Sequence, residues 1–393
     1  MIVIFGMPFF DPSGFFIYFF TQHKNRMNMK KTYLYMVAAI AGLFLFAGVN
    51  PPPDQPTVLV GPEIKSISSL TFGPDGILFV GDSKSATVFA VNTKDAKQQK
   101  KPTAIEIKNL DQKIAAALGT EVANISITDM AVNPVSKRLY MAVQNSDGTP
   151  VLLTLTGDKI ESVQLKDLTY TSLLLNNAPA EDAKDQRGRP LRVSTISDLG
   201  YADGKLMVSG LSNHEFSSSF KSIPYPFTSK QDESTLEIYH AAHGKYETSA
   251  PIRTFTTAEI KGKKYLVASY TCTRLVLFPL DELKPGTHVK GRTVAEMGSG
   301  NSPIDMITIS KGNDSYLMMA NTRHPVAKVD YKNIASFEGT LTEPVKGTAG
   351  VNFTALPMTN VLQMDKLDNN MILVLQKKPN GDLDLWTAND TQL

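Results

Sequence analysis

One cysteine, Cys272, among 393 residues leaves this chain without an intrachain disulfide. Its thiol has to be either packed away or put to use. Charge of one sign is also scarce as a signal. Forty Lys and Arg face 38 Asp and Glu, for a formal net charge of +2. That balance excludes the basic footprint of a nucleic-acid binder. Lys97-Gln98-Gln99-Lys100-Lys101 is the densest basic run and reads as a solvated loop. Sustained helical periodicity is missing too, except over Asp111 to Leu118. No G-x-S-x-G, H-E-x-x-H, P-loop, C-x-x-C-H or dinucleotide fingerprint occurs, so no familiar reaction announces itself.

What the chain has at its start is an export signal. Lys30-Lys31 precedes an apolar run from Tyr33 to Val49, which exits through Asn50-Pro51-Pro52-Pro53. A basic segment, an apolar core and a proline-rich exit make a secretory signal peptide over residues 29–53. Residues 1–28 then read as an upstream extension from an early start codon. The run is at the lower limit for a membrane span, so an uncleaved anchor is the alternative and the only membrane contact expected. The pattern is bacterial in style, which predicts a periplasmic or extracellular protein.

From residue 57 to 393 the chain consists of short apolar β-type runs separated by turn residues, and the runs repeat. The clearest unit is ISSLTFGPDGILFVGDSKSATVFAVNT from Ile67, whose Gly73-Pro74-Asp75-Gly76 is a strong turn signal. The same grammar returns at Ile127, Ile196 and Ile304, more loosely near Thr254, and again from Val361. A unit of roughly 50 to 60 residues with three or four strands is a propeller blade. The prediction is an all-β, six-bladed β-propeller. A count of seven stays open if Leu173 to Arg192 holds a degenerate unit. The last unit ends after three strands, and Thr57 to Val60 is a strand with no blade of its own. That N-terminal strand is expected to complete the last blade and close the ring, which removes an exposed sheet edge. Outer strands are expected at Thr103 to Ile107, Lys159 to Leu165, Glu247 to Phe255 and Thr287 to Met297.

A propeller's inner strands line its channel, so the repeat doubles as a map. Asp129, Asp198 and Asp305 stand at the heads of three inner strands; Ser69 and either Thr256 or Thr257 stand in the same place in two others. Carboxylates around a channel suit Ca²⁺ or another divalent cation. They equally suit a structural role, accepting backbone N–H bonds and tying blades together. Asp82, Asn145, Asn213, His214, Cys272, Asn321 and Arg323 fall at the exits of second strands, the face expected to bind a small polar ligand or a protein partner. Leu211 to Ser234 reads as an excursion over that face, a lid bearing Phe216, Phe220, Tyr225 and Phe227. His240 and His243 have a metal-like H-x-x-H spacing with Glu247 nearby, and are expected at the opposite face or outer edge.

The stretch GPDGILFVGDSKSATVFAVN resembles the blade signature of NHL-repeat and gluconolactonase-type (SMP-30-like) propellers. That resemblance implies a channel-bound divalent metal and, as an alternative to a binding protein, a lactone hydrolase. The family's Glu-Gly-Pro opening is replaced here by Gly61-Pro62-Glu63, and the channel acids are aspartates in other repeats.

Overall fold

The Gly73-Pro74-Asp75-Gly76 turn does what its composition demands. Asp75 and Gly76 both take left-handed backbone angles, φ 56° and 74°, and turn the inner strand Ser69–Phe72 back into Ile77–Asp82. Five more such hairpins follow in the computed structural model, which describes residues 57–272, 274–298, 300–389 and 391–393. The expected extension and signal segment, 1–28 and 29–53, lie outside the described residues. Among the described residues no helix is long and apolar enough to cross a membrane.

The six sheets are antiparallel blades whose first strands stand side by side around a channel. In ring order these inner strands are Ser69–Phe72, Asp198–Ala202, Thr254–Ile260, Pro303–Lys311, Val361–Asp368 and Ile125–Val132. We number the blades one to six in that order. Second strands such as Leu139–Asn145 and Met371–Lys377 are apolar on both faces. Each blade is packed on two sides, so neither face of these strands meets water. Six apolar clusters, one per blade–blade interface, make up the core. Between blades one and six, for example, Leu70, Val80 and Phe89 meet Ala131, Tyr140 and Leu152. Each such side chain contributes about 1.5–3 kcal/mol on burial, so every interface is a substantial apolar seam.

The ring closes, but by a different strand from the one expected. Leu59–Val60 pairs with Thr169–Leu174 at the outer edge of blade one. Blade five is completed instead by Glu106–Ile107, which pairs with Leu383–Asn389. Thr103 to Ile107 therefore serves the last blade in sequence, not the first. The chain builds three strands of blade one, crosses to the edge of blade five, makes blade six, and returns to finish blade one with Thr169–Leu174. Blades one and five are thus composites of distant segments. The physical reason is burial: Val58, Leu59 and Val60 are exposed, whereas Ile107 is packed among Leu110, Leu153 and Leu385. The helix expected at Asp111 to Leu118 forms as Leu110–Leu118 and packs in this same seam.

The excursion in blade two is mostly not a lid. Ser218–Pro224 is the third strand of its blade and Asp232–His240 the fourth. Phe220 and Phe227 are core residues, and Tyr225 lies edge-on to Phe79 at 4.9 Å. Only Phe216 stays exposed, resting on His288 with ring centroids 4.5 Å apart. Phe220 and Ile223, on opposite faces of that strand, pack into the seams on either side of the blade.

Candidate functional site

A β-bulge marks the entry of three inner strands, between Ile127 and Asp129, Pro303 and Asp305, and Val361 and Gln363. The extra residue turns the following side chain toward the neighbouring blade. Asp129 Oδ2 accepts the Leu70 N–H at 2.7 Å, Asp198 Oδ2 that of Phe255 at 2.9 Å, and Asp305 Oδ2 that of Met364 at 2.6 Å. The other oxygen of each accepts the N–H of the next residue in its own strand. Ser69 plays the same part in blade one, its hydroxyl accepting the Leu199 N–H at 3.2 Å. Pairing register puts Thr254 and Gln363 at this level in blades three and five, so neither Thr256 nor Thr257 is the counterpart of the aspartates. The blade-tying role is therefore real.

A fourth carboxylate lies one step deeper. Asp365, two residues past Gln363 on the same face of its strand, accepts the Val132 N–H at 2.5 Å. The strand-head pattern passes over it because it stands two residues beyond the level of the other aspartates, where this blade has Gln363. Together the four acids cap the inner end of a cavity of about 560 Å³. The cavity runs along the inner strands and opens among the turns that join first and second strands, lined there by Tyr201, Pro134, Lys137, Asp368 and Asn369.

Each channel carboxylate is half-buried by area, open to the cavity on one side and enclosed by protein on the others. Burial pushes all four up, and their mutual repulsion adds to it. Asp198 and Asp365 reach about 7 and Asp305 about 6; Asp129, facing both Asp305 and Asp198, is also raised well above the usual carboxylate range. Bonds from backbone N–H groups work against this without cancelling it. Among the residues lining the cavity, only Lys137 and Lys366 carry positive charge, and both lie toward the mouth. Turning the Gln363 amide places its nitrogen 3.1 Å from both Asp305 Oδ2 and Asp129 Oδ1, bridging the two acids.

This geometry does not assemble Asp129, Asp198 and Asp305 into a chelate. Their oxygens are spread around the channel wall, and among the described residues no three of these acids bring ligating atoms within 4.8 Å of one another. Among the described residues, the one trio of His, Cys, Asp or Glu whose ligating atoms lie within 4.8 Å of one another is His240, His243 and Cys272. Hydrolysis at a channel-bound cation finds no support in that arrangement.

The second-strand exits lie at the other end of the ring and contribute nothing to the cavity lining. Asp82 is fully buried and accepts bonds from Lys65, Ser66 and Ser85, which fixes the entry to blade one. Asn321 is buried and donates to the carbonyls of Met319 and Pro325. Arg323 is anchored by its backbone N–H to Asn301 Oδ1, with its side chain exposed. Asn145 is half-buried, while Asn213 and His214 are exposed, His214 lying 3.6 Å from Glu233. His240 and His243, expected at the opposite face or the outer edge, sit with Cys272 at this end, where Asp232–His240 finishes as an outer strand.

No protein-family model matches the chain, and no curated protein matches it either. Solved structures similar to it are β-propellers. The PQQ-bound aldose sugar dehydrogenase of Streptomyces coelicolor is 14% identical, with 86% of this chain and 98% of that one covered, at a TM-score of 0.34. Drosophila Semaphorin 1b, extracellular domains 1-2, is 11% identical over 85% and 87%, at 0.38. The Cps50 (Swd1) β-propeller domain of Myceliophteria thermophila is 11% identical over 82% and 83%, at 0.35. Likenesses this distant carry no functional argument, and they leave the NHL and gluconolactonase resemblance unconfirmed.

Proposed function

We propose that this chain is a ligand-binding propeller whose channel takes a small cationic, donor-rich molecule. The observation that carries the reading is four carboxylates around one cavity with no cation among them. Each has two lone-pair positions occupied by backbone N–H groups and, by valence, about two more to offer. An ammonium group at that level would offset the burial, and the repulsion between neighbouring acids, that keep protons on the ring. A volume of about 560 Å³ lies within the range of small-molecule sites. Entry is through the first-to-second-strand turns, not the face bearing Asn213 and Arg323. We further propose that the protein is exported, on the strength of Lys30-Lys31 and the apolar run that follows.

Calorimetric titration with 1,4-diaminobutane and spermidine tests the binding reading, with sorbitol and Ca²⁺ as comparators. Saturable one-to-one heat with an amine is expected, stronger at pH 8 than at pH 5.5. Protons should be released on binding, seen as a dependence on buffer ionisation enthalpy. The Asp198→Asn, Asp305→Asn double variant should lose the signal. Absence of saturable heat, or binding indifferent to that variant, refutes the proposal.

A further inference from the structure

A second polar cluster lies outside the channel, where the end of Asp232–His240 meets the turn between Lys263–Tyr270 and Arg274–Pro279. His240 is 2% exposed. Its Nδ1 is 2.8 Å from Glu247 Oε1, and its Nε2 is buried with no hydrogen-bond partner. A buried ring nitrogen left unpaired costs free energy that ordinary packing would have removed. His243 follows one turn later, its backbone N–H bonded to the His240 carbonyl at 3.1 Å, and its ring lies 3.7 Å from that of His240. Glu247 Oε1 also reaches His243 Nδ1, at 3.4 Å. Cys272 completes the group. It is held at φ 69°, an angle non-glycine residues rarely adopt, by a backbone bond to the Asn301 carbonyl.

We propose that His240, His243 and Cys272 form a site for a thiophilic divalent cation, Zn²⁺ by ligand type. One ligating atom from each lies within 4.8 Å of the other two. Two imidazoles and one thiolate leave a fourth tetrahedral position for water or a ligand. Glu247 acts as the positioning carboxylate: bonded to Nδ1, it fixes the tautomer that leaves Nε2 of His240 free for the metal. Arg274, 1% exposed, pairs with Glu247 at 3.0 Å and holds that carboxylate against the two imidazoles.

The test uses the untagged full chain, stripped with chelator and titrated with Zn²⁺ against a competing indicator. One equivalent should bind, and Cys272→Ser and His243→Ala should each weaken it at least about 100-fold. Glu247→Gln should weaken it about 10- to 100-fold, as loss of a carboxylate behind a ligating histidine does. With Co²⁺, the wild type should show tetrahedral visible bands and a thiolate charge-transfer band that Cys272→Ser removes. Circular dichroism of the metal-free variants verifies that the propeller is intact. Failure of the folded wild type to take up one equivalent overturns the proposal, as does unchanged affinity in Cys272→Ser or a cobalt spectrum without the thiolate band. The channel titration is unaffected by either result, so the two readings fail separately.

Discussion

Replacing Asp198 by Asn should flatten part of the protein's pH–stability curve, and the sign follows from its raised pKa. The folded value is about 7, against about 3.9 in an unfolded chain. Between these values the native state keeps a proton that the unfolded state has released. Stability from this group is therefore complete below about pH 4 and is lost as pH rises through 7. A shift of about three units corresponds to about 4 kcal/mol as a ceiling, and water in the channel screens part of it. About 2–3 kcal/mol is expected, which for a fold of this size moves Tm by roughly 3–5 °C. Asn keeps an acceptor for one of the Phe255 and Leu199 N–H groups and turns its NH2 toward the other, a cost independent of pH, and it cannot ionise. Scanning calorimetry of both proteins from pH 4.5 to 8.5 reads the difference directly. Near pH 4.5 the variant should match or fall below the wild type; by pH 8 its relative Tm should have risen by those few degrees. The protons belong to the coupled ring, so Asp305→Asn should produce a similar curve. Other shifted groups, such as Glu296 at about 7, remain in both proteins and cancel in the comparison. A Tm difference independent of pH, or one that moves the other way, refutes the electrostatic account of the channel.

Asp82→Ala should destabilise by about 2–4 kcal/mol, since it strands the donors of Lys65, Ser66 and Ser85 around a fully buried position; urea denaturation measures it. Phe220→Ala should cost about 3–5 kcal/mol and Phe216→Ala less than about 1 kcal/mol, a contrast that a functional lid made of both would not show. Ile107→Ala should cost about 2–4 kcal/mol because it loosens the strand that completes blade five, whereas exposed Leu59→Asp should cost under about 1 kcal/mol. If Leu59→Asp proves the more damaging, the closure derived from the pairing register is wrong.

The blades were legible because local rules specify them: a turn such as Gly73-Pro74-Asp75-Gly76 and an apolar second strand such as Leu78-Phe79-Val80 need no distant partner to be recognised. Closure was not legible, because it is a competition between segments for one sheet edge. Thr57 to Val60 looks like a spare strand and Thr103 to Ile107 like the outer strand of the blade it follows, and the difference is which apolar seam buries them. Ile107 finds Leu153 and Leu385; Leu59 finds only the outer edge at Tyr170. The site divides in the same way. Asp129, Asp198 and Asp305 stand out because they follow an isoleucine at a strand head, and their placement on the channel wall follows from the repeat alone. What they do there depends on the third dimension. Each bonds to a neighbouring blade's backbone, Asp129 and Asp305 after a bulge and Asp198 without one, so a pattern that suggested chelation is used to lock blades, and the charge left over faces the cavity. Asp365 escaped notice because it lies two residues past the strand-head position, which Gln363 occupies in its blade. The His240–His243 pair and Cys272 were each visible, but nothing local joins them, some thirty positions apart in adjacent blades. Convergence of ligating atoms, sought among the channel acids, is found instead in a cluster that only the ring brings together.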